Sequence, residues 1–117
     1  MVKPRQGDVH WVRFGMSGDS RPSGKRPAIV IQNDLLNRSK IRTTVVVLLT
    51  SNTKLSAVPG NTLLRKGMGN LPKASVAVVS QMATVDKDRL LDKIGTIEND
   101  YLDKILNGCQ KIISRQF

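Results

Sequence analysis

Arg26 and the polar cluster Thr50 to Thr53 are the residues whose types and surroundings best suit phosphate chemistry. Arginine stays protonated and presents a planar fork of donors that matches two oxygens of one phosphate. Arg26 precedes Pro27, and a proline fixes its own φ and biases the residue before it towards an extended conformation. The guanidinium is thus expected at an ordered loop-to-strand junction. There it can stabilise charge that develops on phosphorus oxygens, or it can simply cap a strand at the surface. Thr50 opens the run TSNT, Thr50 to Thr53, directly after an apolar segment. Its hydroxyls and amide suit contact with a phosphate or a ribose hydroxyl, and they suit a turn equally well.

Other chemistries find less support. The segment Gly18–Lys25 resembles the nucleotide loop G-x-x-x-x-G-K-[ST], but five residues separate Gly18 from Gly24 and Arg26 stands where a hydroxyl residue belongs. A proline and a strand follow, whereas that loop must open a helix facing the phosphates. Nucleotide hydrolysis is excluded on these grounds. One histidine, one cysteine and scattered aspartates make no compact ligand set, so no metal or cofactor is expected. Cys109, alone, rules out an intrachain disulfide and reads as a small buried hydrophobe. His10 reads as a strand-surface residue, and Asp86, Asp88 and Asp92 read as a solvated charged face.

The chain has 117 residues, which fits a single domain spanning 1–117. Its formal net charge is +10, and the excess is uneven. Through Val85 there are 13 Lys/Arg against 3 Asp/Glu, and from Asp86 onward 6 of each. Such a field favours a polyanionic partner. The longest strictly apolar run, Val45 to Leu49, falls far short of the roughly 20 residues that span a bilayer. The N-terminus carries no apolar stretch of the secretory type, so a cytoplasmic protein with no membrane partner is expected.

The elements that must position these residues are mostly strands. Gly7–Phe14 reads as a first strand with Val9 and Trp11 on one face and His10 and Val12 on the other. A loop, Gly15–Lys25, follows. RPAIVIQN and TTVVVLLTS are β-branched runs, and DLLNRSKIR between them suits a short helical turn. NTLLR and ASVAVVSQMATV supply further strands. Asp86–Gly95 reads as a short helix with Asp86 at its cap and Gly95 at its end. From Asn99, a candidate cap, apolar residues at Leu102, Ile105, Leu106, Cys109, Ile112 and Ile113 mark one face of a terminal helix. Five or six short strands followed by helices suggest a small curled barrel.

The order of these pieces resembles the MazF/PemK/Kid family of toxin endoribonucleases over nearly the whole chain. The resemblance rests on GDVHWV, GKRPAIVIQND followed by Asn37-Arg38, VVVLLTSN, LPKASVAVVSQMATVDKDRL and DKIGTI. It implies a mainly β fold, a small SH3-like β-barrel (PemK/CcdB-like) with a C-terminal helix, normally a homodimer. It also implies metal-independent, sequence-specific cleavage of single-stranded RNA. In that reaction the ribose 2′-hydroxyl attacks the adjacent phosphate and leaves 2′,3′-cyclic phosphate and 5′-hydroxyl ends. The family's catalytic arginine and threonine fall on Arg26 and Thr50. Ser51 and Gln81 fall on groove positions as substrate contacts, and Lys25 and Arg21 are loop cations placed for flanking phosphates. An acidic, disordered antitoxin tail is the implied protein partner. The sequence departs from the family pattern at GDSRPSG before the R-P pair, at Met82-Ala83, and at Val78 and Ser80. A non-catalytic RNA-binding module and a gyrase-poisoning toxin of the related CcdB fold are the alternatives.

Overall fold

The computed structural model describes residues 3–14 and 24–115. Most of the loop expected at 15–25, Arg21 included, lies outside them. The chain forms β1 (Asp8–Arg13), β2 (Lys25–Val30), α1 (Asp34–Asn37), β3 (Thr43–Thr50), β4 (Thr62–Leu64), β5 (Ser75–Asp86), β6 (Leu90–Thr96) and α2 (Asn99–Ile113). The strands make one antiparallel sheet in the order β4-β5-β3-β2-β1-β6.

β5 pairs with β3 over most of its length and with β4 only at its N-terminal end. Its C-terminal half pairs with the start of β3, as in Val47↔Met82, and its N-terminal half pairs with the end of β3 and with β4. Between Val47↔Met82 and Leu49↔Ala77, β3 advances two residues while β5 advances five. The surplus is a bulge, which bends its strand and sharpens the twist. Alternation along β1 and β3 then feeds two cores. Val9, Ile29, Val47 and Leu49 pack with Leu102, Ile105 and Cys109 of α2, while Val12, Ala28, Val30, Val46 and Leu90 form a second cluster. The expected split of Val9 from Val12 across the two faces of β1 is thus observed.

The outer strands β4 and β6 are not hydrogen-bonded to each other. A 3-10 turn at Met68–Asn70 rests against β6 instead, with Asn70 Nδ2 donating to the Ile94 carbonyl at 3.1 Å. Gly95 lies so close that a Cβ there would sit 2.3 Å from the Gly69 carbonyl oxygen. The glycine read as a helix end is therefore a point of backbone-to-backbone contact. The helix expected at Asp86–Gly95 is instead the end of β5, a 3-10 turn at Lys87–Arg89, and β6. Two register shifts in the β1–β6 pairing break the alternation of β6, which is why its apolar residues mimic helical spacing.

His10 is also placed differently from its expected surface position. It is 2% exposed, and Nδ1 donates to the Leu91 carbonyl at 3.0 Å, tying β1 to β6. At α2, Glu98 occupies the cap position without a side-chain cap bond, and Asn99 is the first helical residue. Leu102, Ile105 and Cys109 are buried as expected, but the stripe outlasts the sheet and Ile113 is 75% exposed. Burial pushes the Cys109 thiol above its ordinary value.

Gly108 is where α2 meets the chain ahead of β4: a Cβ would lie 2.1 Å from the Gly60 carbonyl oxygen. Helix propensity alone makes Gly→Ala favourable by about 1 kcal/mol. The backbone contact opposes this, and forced overpacking costs about 1–3 kcal/mol. Gly108→Ala should therefore lower the urea midpoint. An unchanged or raised midpoint would show that α2 can move away from Gly60 without loss.

Candidate nucleic-acid-cleaving site

The site begins with a main-chain hydrogen bond that cannot form. Ile31 N–H donates to the Val45 carbonyl, so alternate residues of this strand, Ile29 and then Pro27, turn their main-chain groups towards β3. Pro27 has no N–H to donate. The β2–β3 ladder accordingly starts at Ala28↔Leu48 and runs to Val30↔Val46. Continuing that register two residues beyond its end sets Arg26 opposite Thr50. β2 is meanwhile held on its other side by Trp11↔Pro27, Val12↔Arg26 and Arg13↔Lys25.

A cavity of about 280 Å³ opens at this parted seam, lined by Arg26 and Thr50 with Trp11, Pro27, Leu49, Ser51, Leu71, Pro72, Lys73 and Ser75. Its polar and apolar groups divide cleanly. Trp11, Pro27, Leu49, Leu71 and Pro72 give apolar walls, against which a flat ring can lie. Arg26 and Lys73 bring two cations, and among the described residues the lining contains no carboxylate and no histidine. Among the described residues, the half-buried Arg26 guanidinium has no hydrogen-bond or ion-pair partner, so its donors remain available to an anion.

Thr50 is constrained more tightly. The Asn52 main-chain N–H donates to Thr50 Oγ1 at 3.2 Å. That occupies one lone pair and leaves the hydroxyl one proton to donate and one lone pair to accept with. Asn52 in turn accepts from Lys54 N–H through its side chain, at 3.3 Å, and caps the 3-10 turn at Thr53–Ala57. The TSNT run is therefore both turn and site: Asn52 makes the turn, and Thr50 and Ser51 face the cavity.

Of the residues singled out in the sequence, the structure brings Arg26, Thr50 and Ser51 to one cavity. Lys25 stands beside it, with Nζ 5.2 Å from the centroid of the Trp11 ring, a cation–π distance. Gln81 is exposed at the β5 bulge and does not line the cavity. Arg21 lies outside the described residues. Trp11, Lys73 and Ser75 had drawn no functional reading. Trp11 was visible only as part of an alternating strand. Lys73 and Ser75 reach the site through the β3–β5 pairing of Thr50 with Val76, a contact that no local pattern announces.

Residues 5–113 match the family model described as PemK-like, MazF-like toxin of type II toxin–antitoxin system. The chain is 32% identical over 106 residues to Endoribonuclease MazF6 of Mycobacterium tuberculosis, covering 91% of this chain and 93% of that protein. It is 31% identical over 106 residues to Endoribonuclease EndoA of Bacillus subtilis, covering 91% and 90%. Among solved structures, its fold is similar to that of a mycobacterial endoribonuclease in complex with its cognate antitoxin, with a TM-score of 0.76, 20% identity, and coverage of 97% and 98%. MazF from Deinococcus radiodurans gives a TM-score of 0.75 at 18% identity, again covering 97% and 98%.

The acceptor role of Thr50 is testable apart from any activity. Thr50→Val keeps the shape but strands the Asn52 amide, which should exchange with solvent several-fold faster. Because the bond is exposed, global stability should fall by less than about 1 kcal/mol. Unchanged Asn52 exchange would show that Thr50 Oγ1 does not hold that amide.

Proposed function

This chain belongs to the PemK-like, MazF-like toxins of type II toxin–antitoxin systems, and from that membership we propose how it cleaves RNA. The protein is a toxin endoribonuclease. Its substrate is single-stranded RNA, cut at a short sequence without a metal ion by attack of a ribose 2′-hydroxyl on the adjacent phosphate. The observation that carries this reading is the Arg26 guanidinium, without a partner among the described residues, sharing with the Thr50 hydroxyl a cavity large enough for one nucleotide's reacting atoms.

In this reading Arg26 grips the two non-bridging oxygens of the scissile phosphate. It opposes the charge that builds there as the 2′-oxygen to phosphorus bond forms and the phosphorus to 5′-oxygen bond breaks. Thr50 uses its remaining lone pair to accept from the 2′-hydroxyl and so aims the nucleophile in line. The proton lost from the 2′-oxygen passes to water, and the leaving 5′-oxygen gains one from water or from a guanidinium N–H that solvent reprotonates. With neither a carboxylate nor a histidine among the described residues of the lining, the rate in this reading rests on orientation and electrostatic stabilisation rather than on a strong base. Ser51 at the rim contacts substrate, and Gln81, farther along β5, meets a neighbouring nucleotide.

Family membership also supports a homodimer, an acidic antitoxin whose disordered tail competes with RNA for the same cations, and a cytoplasmic location. The solved mycobacterial endoribonuclease with its cognate antitoxin supports the second of these. No helix among the described residues is long and apolar enough to cross a membrane.

Purified protein should cut single-stranded RNA in EDTA and leave 2′,3′-cyclic phosphate and 5′-hydroxyl ends, read by end-mapping. Arg26→Ala and Thr50→Ala should each lower kcat/KM by about 100-fold or more while the circular dichroism spectrum stays native. Activity lost in EDTA and restored by a divalent ion would overturn the metal-free route. Undiminished activity in the folded variants would remove the two residues from the reaction.

A further inference from the structure

The sheet fixes the lateral order of the groups around the cavity: Trp11 on β1, Arg26 on β2, Thr50 on β3, then Lys73 and Ser75 at the entry to β5. β3 lies between β2 and β5, and Thr50 pairs with Val76 at the entry to β5, so Thr50 stands between the strand carrying Arg26 and the segment carrying Lys73. The two cations therefore flank the threonine from opposite sides.

Lys73 combines a fixed backbone with a free side chain. Ser75 Oγ donates to the Lys73 carbonyl at 3.0 Å, and Leu71 just before it is 2% exposed in the core. The Ser75 proton is thereby committed to bracing the loop. The Lys73 side chain is exposed and, among the described residues, has no ion-pair or hydrogen-bond partner. Lys25, by contrast, lies on the Arg26 side of the cavity against Trp11.

RNA chemistry gives this order a direction. The attacking 2′-hydroxyl and the scissile phosphate belong to the same nucleotide, with the scissile phosphate on the 3′ side of its ribose. With Thr50 at the 2′-hydroxyl and Arg26 at the scissile phosphate, the next charge on the far side of that ribose is its 5′ phosphate. Besides Arg26, Lys73 is the one cation among the described residues that line the cavity.

We infer that Lys73 binds the phosphate immediately 5′ of the attacking nucleotide, so that RNA crosses the rim with its 5′-to-3′ direction running from β5 towards β2. The inference rests on the roles proposed above for Arg26 and Thr50. An ammonium is a point charge on a flexible stem, suited to a phosphate whose geometry does not change during reaction. Such binding is equal in ground and transition states, so it should appear in KM and not in kcat.

The test uses a short oligoribonucleotide carrying one mapped cleavage site, with a neutral methylphosphonate replacing one linkage at a time. Neutralising the linkage 5′ of the attacking ribose should lower wild-type kcat/KM about tenfold, through KM. Lys73→Met should cost about the same on all-phosphate RNA and lose nothing more when that linkage is neutral. Lys73→Arg should restore most of the binding. Full multiplication of the two losses would overturn the contact. Coupling of Lys73 to the linkage 3′ of the scissile phosphate would reverse the direction of the strand. Failure of the wild type to cut the all-phosphate RNA would instead remove the endoribonuclease reading, and this inference with it.

Discussion

Because Pro27 has no N–H to give, the ladder between β2 and β3 begins only at Ala28, and beyond it Arg26 and Thr50 line one cavity. In a continuous ladder that space would be filled by a main-chain hydrogen bond. Pairing with β1 holds β2 in place despite the loss, since Trp11, Val12 and Arg13 stay in register with Pro27, Arg26 and Lys25. The gap therefore lies between two strands that are each paired on their far side, β2 with β1 and β3 with β5. The backbone positions of a cation and a hydroxyl are thus set on either side of the gap before any ligand arrives.

The rest of the fold serves to keep that rim open and steady. The β5 bulge bends the sheet so that the segment before β5 comes round beside Thr50. The contact of Gly69 with Gly95 draws the two outer strands together without hydrogen-bonding them to each other. On the helix side, Leu102, Ile105 and Cys109 press on Val9, Ile29 and Val47, so the strands bearing Trp11, Arg26 and Thr50 are backed by dry, packed side chains. Burial of such aliphatic groups contributes about 1.5–3 kcal/mol each before entropy is counted, far more than the exposed bond from Asn52 to Thr50. The scaffold can therefore tolerate the open seam.

Charge adds reach to this local geometry. The cationic excess lies before residue 86, in the part of the chain that supplies every residue of the cavity lining. Its field draws an RNA strand or an acidic peptide to the same place.

Much of this was legible in the sequence for identifiable reasons. Arg26 and the run Thr50 to Thr53 stand out because Pro27 restricts its predecessor and because a polar run follows an apolar strand, both local effects of a few residues, and the family resemblance picks Thr50 from that run. Strands β1 to β5 and helix α2 were visible in alternation and 3.6-residue spacing. The segment 86–95 was misread because its partner, β1, imposes two irregularities that no local period records. His10 looked like a surface residue because its carbonyl partner, Leu91, lies 81 residues away in the chain. Lys73 drew no notice for the same reason: its place beside Thr50 is decided by the pairing of β3 with β5. The sequence by itself determined which residues carry the charge and where the backbone cannot complete a ladder, since both follow from side-chain chemistry and a missing N–H. Only the tertiary structure decided which of those cations stand on either side of the threonine, because lateral order in a sheet is set by contacts between distant segments.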